Sequence, residues 1–311
     1  MDKQPQVLRY GTFSLAFGLG CLITIMISLN GQLAQAVGPS FSLLVIHLAG
    51  GCTVLTAIII RHLRGTPFQR FSRVMPWFYY TGGALGVLMV FGNNTCFAAI
   101  GVSVTMAAGI FGQTAGSIII DATGSFGMSR YRFAPSKFIG LVIILVGVSL
   151  MVDSWQFDLL YLLFALVIGG VTILQMTINS RAATVHGLMP GVGINYLGGI
   201  IAALAAVLLS GVPLQSAFCE LRHIPLHWVI GGGIVGFFIV SGVNTLLPKI
   251  PTFYSSLLMF LGQISSAIAV DAFLLGMFSY QRILGAVLIL AGITANMQAD
   301  RKGALEPVKP G

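Results

Sequence analysis

Apolar residues run along this chain in blocks of around twenty, separated by short polar or basic intervals, from Phe13 to Ala295. Each block is long enough to cross about 30 Å of hydrocarbon as an α-helix. The blocks do not alternate polar and apolar at every second residue, which excludes barrel strands as the spanning element. The pattern predicts an all-α integral membrane protein of ten transmembrane helices, at 11–33, 41–61, 76–97, 101–121, 138–153, 158–180, 189–210, 226–247, 252–275 and 281–298. The fifth is the weakest, because Val152-Asp153 follows Phe138 so closely. The first block lacks a small-residue cleavage site after a short apolar core and reads as a retained helix.

Composition sharpens this picture. Only 8% of the residues are charged, against about a quarter in a soluble domain, so the chain lacks a water-compatible surface. The net charge of +8 would suggest nucleic acid, but its distribution points to membrane orientation. With ten spans, 14 of the 16 Lys and Arg fall on the side that holds both termini, and only Arg222 and Arg282 on the other. The positive-inside rule then predicts cytoplasmic termini, with membrane lipid as a partner and no nucleic acid. Cys21, Cys52 and Cys96 lie within spans and Cys219 alone in a loop, a pattern that favours neither a disulfide framework nor a metal site.

The chain repeats itself. Residues 82–122 and 232–272 align without a gap at an offset of 150, and 13 of 41 positions are identical. Roughly three or four would be expected by chance in so apolar a composition. Gly82, Gly83, Gly86, Gly92, Asn94 and Thr95 match Gly232, Gly233, Gly236, Gly242, Asn244 and Thr245. Gly112, Gln113 and Asp121 match Gly262, Gln263 and Asp271; Asn30 and Gly38 match Asn179 and Gly187 at an offset of 149. At an offset of 145, Gly140 and Gly147 match Gly285 and Gly292. Five spans per half is an odd number, so the second half enters the membrane inverted. The predicted organisation is two inverted five-helix repeats, 1–155 and 156–298, with a disordered cytoplasmic tail at 299–311. Inverted repeats about an in-plane axis are the architecture of secondary transporters, although duplication alone also serves a scaffold.

Polar residues inside such spans are the candidates for chemistry. Gly109, Gln113, Ser117 and Asp121 form one i, i+4 ridge on the fourth span, and Met259, Gln263, Ala267 and Asp271 form its counterpart on the ninth. Gln113 and Gln263 fall near mid-bilayer and are candidate substrate contacts bordering one cavity. Asp121 and Asp271 fall at helix C-termini, where the helix dipole disfavours a carboxylate unless a cation or proton compensates. Two readings stand for them: a gate latch or protonation site, or a structural ion pair (Arg130 or Arg132 with Asp121, Arg282 with Asp271) or N-cap to the next segment. Asn30 and Asn179 near the ends of the first and sixth spans, with Gln175, form a second amide set. Asn94-Thr95 and Asn244-Thr245 close the third and eighth spans. For each amide, substrate contact competes with interhelical hydrogen bonding. His47, aligned with Tyr196, reads as a satisfied packing residue in preference to a proton relay, and Trp77, Trp155 and Trp228 as interfacial anchors. No Walker loop, zincin or deaminase signature or nucleophile elbow is present, so no catalytic residue, cofactor or metal is assigned.

The run Gly112-Gln113…Asp121-Ala122-x-Gly124, preceded by Pro76-Trp77…Gly82-Gly83-x-x-Gly86 and by Asn30-Gly31-x-Leu33, resembles the YdcZ-like family of the drug/metabolite transporter superfamily in its fused ten-helix form. The resemblance covers nearly the whole chain. It implies an α-helical bacterial inner-membrane carrier, a monomer or homodimer, moving small metabolites or organic compounds, often outward. Related small multidrug carriers use a glutamate in the first span; this chain has no acid in its first span and only Asp158, at the very start, in its sixth, which argues against a cation exchanged for protons there. A non-transporting receptor or assembly component and a lipid-headgroup flippase are the competing expectations.

Overall fold

The computed structural model describes residues 10–67, 74–100, 102–131, 137–150, 158–274 and 280–303. Regular structure among them is helical throughout, with eleven α-helices in chain order: α1 Tyr10–Val37, α2 Pro39–Leu63, α3 Gly82–Ile100, α4 Val102–Thr123, α5 Lys137–Leu150, α6 Leu159–His186, α7 Leu188–Ser210, the short α8 Leu214–Glu220, α9 Leu226–Leu246, α10 Thr252–Leu274 and α11 Tyr280–Gly303. Five helices of the described residues have the length and hydropathy to cross a bilayer: Gly11–Val37, Pro39–Leu63, Leu159–His186, Leu188–Ser210 and Leu226–Leu246. Large apolar side chains cover their outer faces. On α7, Leu197, Ile201, Leu204 and Leu208 form an exposed stripe at helical spacing, and Leu159, Leu163 and Val167 do the same on α6. Water penalises such stripes and lipid accepts them.

The helix ends differ from the expected spans. α1 continues to Val37 and α6 to His186, so Asn30 and Asn179 sit about two turns inside their helices. α3 continues to Ile100, so Asn94-Thr95 is interior to it. The helix preference lost at one Asn is a weak term that tertiary packing overrides, so such residues do not mark a helix end. The actual breaks after α1 and α6 are Gly38 (φ +82°) and Gly187 (φ +96°), each with ψ 157°. A Cβ is strongly disfavoured in that backbone region, which explains why this glycine recurs in both halves.

The described chain divides into two compact units, each built from both halves of the sequence. Of the described residues, those within 1–21, 95–173 and 246–311 form the first unit and those within 22–94 and 174–245 the second. In the first, α4 packs on α10 and α5 on α11; in the second, α2 packs on α7. Each of these helices therefore packs on its own counterpart in the other half of the chain. Ile110, Ile144, Phe253, Leu257, Phe260 and Ile289 build the core of the first unit. In the second, Leu33, Phe41, Val45, Val87 and Val207 pack together beneath α8, whose Phe218 meets the Phe41 ring edge-on with centroids 4.9 Å apart.

Glycines set the closest approaches, and they do so twice. Gly112 lies against the Leu166 carbonyl of α6 and its counterpart Gly262 against the Phe17 carbonyl of α1. Gly147 approaches the Gly285 carbonyl, and Gly292 the Gly140 carbonyl. Backbone contacts this close leave no room for a Cβ, which is why apolar helices meeting without a hydrophobic driving force use small residues.

Candidate functional site

The predicted polar residues divide between the units. Asn30, Asn94, Gln175, Asn179 and Asn244 belong to the second; Gln113, Gln263, Asp121 and Asp271 belong to the first. The Asp271 and Arg282 side chains, Arg132, Asp153, Trp155 and the 304–311 part of the tail lie outside the described residues.

In the second unit, α3 and α9 each lay a glycine-rich face on an amide-bearing helix. Gly82 receives the Asn179 side-chain oxygen and Gly232 receives that of Asn30, contacts that a Cβ at either glycine would block. Gly86 lies beside the Gln175 amide, while its counterpart Gly236 faces Met26 and the Tyr196 hydroxyl. The symmetry breaks at hydrogen bonding. Asn179 donates from Nδ2 to Asn195 Oδ1 at 2.9 Å, both side chains being buried. The counterpart of Asn195 is Ile46, and the buried Oδ1 of Asn30 has no hydrogen-bond partner. Farther along α9, Asn244 is 4% exposed and neither Nδ2 nor Oδ1 is hydrogen-bonded; the buried Ser241 Oγ, one turn earlier, is also without a partner. The fully buried Ser180 of α6 reaches this place, its Oγ donating to the Asn244 backbone carbonyl at 3.4 Å.

His47 is satisfied. Its Nδ1 donates to the Leu43 carbonyl at 2.8 Å, and its ring meets Tyr196 at a centroid distance of 6.1 Å. His47 packs on Gly199 and Tyr196 on Gly50, glycines that also correspond in the repeat. The aligned positions are thus in mutual contact.

In the first unit the predicted ridge on α4 splits its duties. Gly109 meets Gly169 of α6. Ser117 donates to the Gln113 carbonyl at 2.7 Å and lies 3.0 Å from Ser256 Oγ on α10. Gln113 and Gln263 are both half-buried, and the Gln263 backbone lies close to Gly20 of α1. Asp121, buried, accepts from the backbone N–H of Thr252 on Oδ1 and of Phe253 on Oδ2, both at 3.0 Å. Those donors open α10, where the preceding Pro251 has no side-chain acceptor, so α4 supplies the cap that the local sequence lacks. The positive end of the α10 dipole is the compensation that the carboxylate needs. Of the two arginines proposed from sequence as its ion-pair partners, Arg132 lies outside the described residues and Arg130 directs Nε to the Ala122 carbonyl at 2.9 Å. This contact supports the end of α4, where Gly124 turns left-handed at φ +67°.

A family profile described as "Putative inner membrane exporter, YdcZ" matches the chain twice, over residues 12–150 and 160–295. The chain belongs to the YdcZ family of drug/metabolite transporters. A solved structure described only as a crystal structure of a protein superposes with a TM-score of 0.66 at 17% identity, covering 94% of this chain and 97% of that one. At that identity it speaks for the fold alone. No curated protein matches the chain significantly.

For this YdcZ-family membrane protein, the residues that sequence reasoning missed share one property. Asn195, Ser180 and Ser241 have Ile46, Gly31 and Phe91 as counterparts. Comparing the halves highlights polar residues present in both and passes over those found in one. A search for Asn and Ser inside the α6, α7 and α9 blocks would have found them.

Proposed function

We propose that the chain is a ten-span secondary transporter working by alternating access, with two inverted five-helix repeats and both termini in the cytoplasm, and that it exports a small metabolite or organic compound. The observation that carries this reading is the packing of α2, α4 and α5 on their own counterparts α7, α10 and α11, with matching glycine contacts. A carrier built from two equivalent halves can exchange their conformations and so present one site to either side. Family membership favours the outward direction. The uncharged amides of α1, α6 and α9 suit substrate contact, while Asp121 acts at a helix junction as a latch.

Two experiments test it. Single cysteines placed in a Cys-free background at positions 36 and 218 should label from outside, and those at 66, 128 and 185 from the cytoplasm. Labelling of 66 and 218 from the same side would remove the inverted topology. Proteoliposomes containing the purified protein should accumulate or release members of a metabolite panel. An inert protein would favour a receptor or assembly component, and movement of labelled lipid alone would favour a flippase.

A further inference from the structure

The Asn244 amide is buried to 4% exposure with both polar atoms unpartnered, and the Ser241 Oγ, one turn earlier on α9, is also buried and unpartnered. Buried polar groups are nearly always paired, because leaving one dry and unbonded forfeits its hydration for nothing. An unpaired amide and hydroxyl one turn apart on one helix are therefore groups held ready for a ligand. We propose that Asn244 and Ser241, with Ser180 of α6 beside them, form a substrate subsite for an uncharged solute that presents a donor and an acceptor on one edge, as amides, lactams and nucleobases do. The inference rests on the reading of the chain as a carrier and names its substrate class.

The chemistry selects this class. A carboxamide offers an N–H and a carbonyl oxygen side by side, complementary to a second amide edge, and the serine hydroxyl adds a group that can donate or accept. A fixed cation would need a carboxylate, and residues 22–94 and 174–245 contain one acid, Glu220, which is exposed on α8. Arg181 follows Ser180 and is half-buried, which makes an anion the competing ligand that the experiment must exclude. The repeat supports a single subsite. The counterparts of Ser241 and Ser180 in the first half are Phe91 and Gly31, so the first half keeps only Asn94 of the three.

The test uses the full chain and three labelled probes: uracil as a neutral imide, tetramethylammonium as a cation and benzoate as an anion. Detergent-purified protein is assayed for binding, proteoliposomes for flux and each variant for thermal stability. Wild-type protein should bind uracil in preference to either charged probe. Asn244→Leu should weaken uracil binding at least about tenfold, the loss expected for a bidentate contact, without lowering the melting temperature, since leucine removes an unpaired amide. Ser241→Ala should weaken it less. The subsite is overturned if wild-type protein does not bind uracil, if a charged probe binds in its place, or if Asn244→Leu leaves uracil affinity unchanged. Flux of a charged probe without uracil flux would overturn the substrate class and leave the carrier standing. Uracil binding that Asn244→Leu abolishes, with no flux of any probe, would support the subsite and overturn transport.

Discussion

Asp121 offers the most direct test of how this fold is held. Its carboxylate accepts two backbone N–H bonds from the first turn of α10, a turn in which Thr252, Phe253, Tyr254 and Ser255 are all buried. Hydrogen bonds to a charged group contribute about 1.5–3 kcal/mol each, and a buried orphaned donor costs about 1–3 kcal/mol. Asp121→Ala leaves both donors without the carboxylate and should destabilise the protein by about 3–5 kcal/mol. Asp121→Asn keeps one acceptor but turns an N–H toward the other donor, and should cost about 2–3 kcal/mol. The assay is isothermal unfolding of the detergent-purified protein followed by far-ultraviolet circular dichroism. A rescue separates capping from general damage. Pro251→Asp would give α10 a cap of its own, and combined with Asp121→Ala it should recover at least about 1 kcal/mol, the usual contribution of an N-cap. The reasoning is refuted if Asp121→Ala lies within about 0.5 kcal/mol of wild type, or if the added aspartate recovers nothing.

Three further outcomes follow from the packing. Gly82→Ala and Gly232→Ala would press a methyl into the Asn179 and Asn30 amides and should lower the melting temperature, whereas Gly31→Ala meets open space inside α1 and should stabilise by up to about 1 kcal/mol; equal effects at all three would contradict the contacts. Gly38→Ala and Gly187→Ala should each cost about 1–3 kcal/mol from backbone strain, at Gly38 with no crowding added; an unfolding curve superimposable on wild type would show that these breaks need no glycine. Gln113→Leu and Gln263→Leu should reduce flux in proteoliposomes while membrane yield stays near wild type, and unchanged flux would return both amides to packing.

The sequence by itself determined the class and the family. Blocks of apolar residues with 8% charge leave the chain no soluble fold, and the glycine, amide and aspartate identities at offsets of 145–150 reveal a duplication that the YdcZ profile also matches in two copies. These features were legible because bilayer thickness and close helix packing constrain residue type locally, whichever helix turns out to be the neighbour. The repeat even marked Gly38 and Gly187, although only the backbone showed that a positive φ, with no crowding at Gly38, demands them. Tertiary structure decided the partners. That Asp121 caps a helix 131 residues away depends on where α10 begins. That Asn179 donates to Asn195 has no equivalent in the first half, because Ile46 stands at the position matching Asn195. Hydrogen bonds between helices are made by whichever side chains packing brings within 3 Å or so, and that distance is a property of the assembled chain.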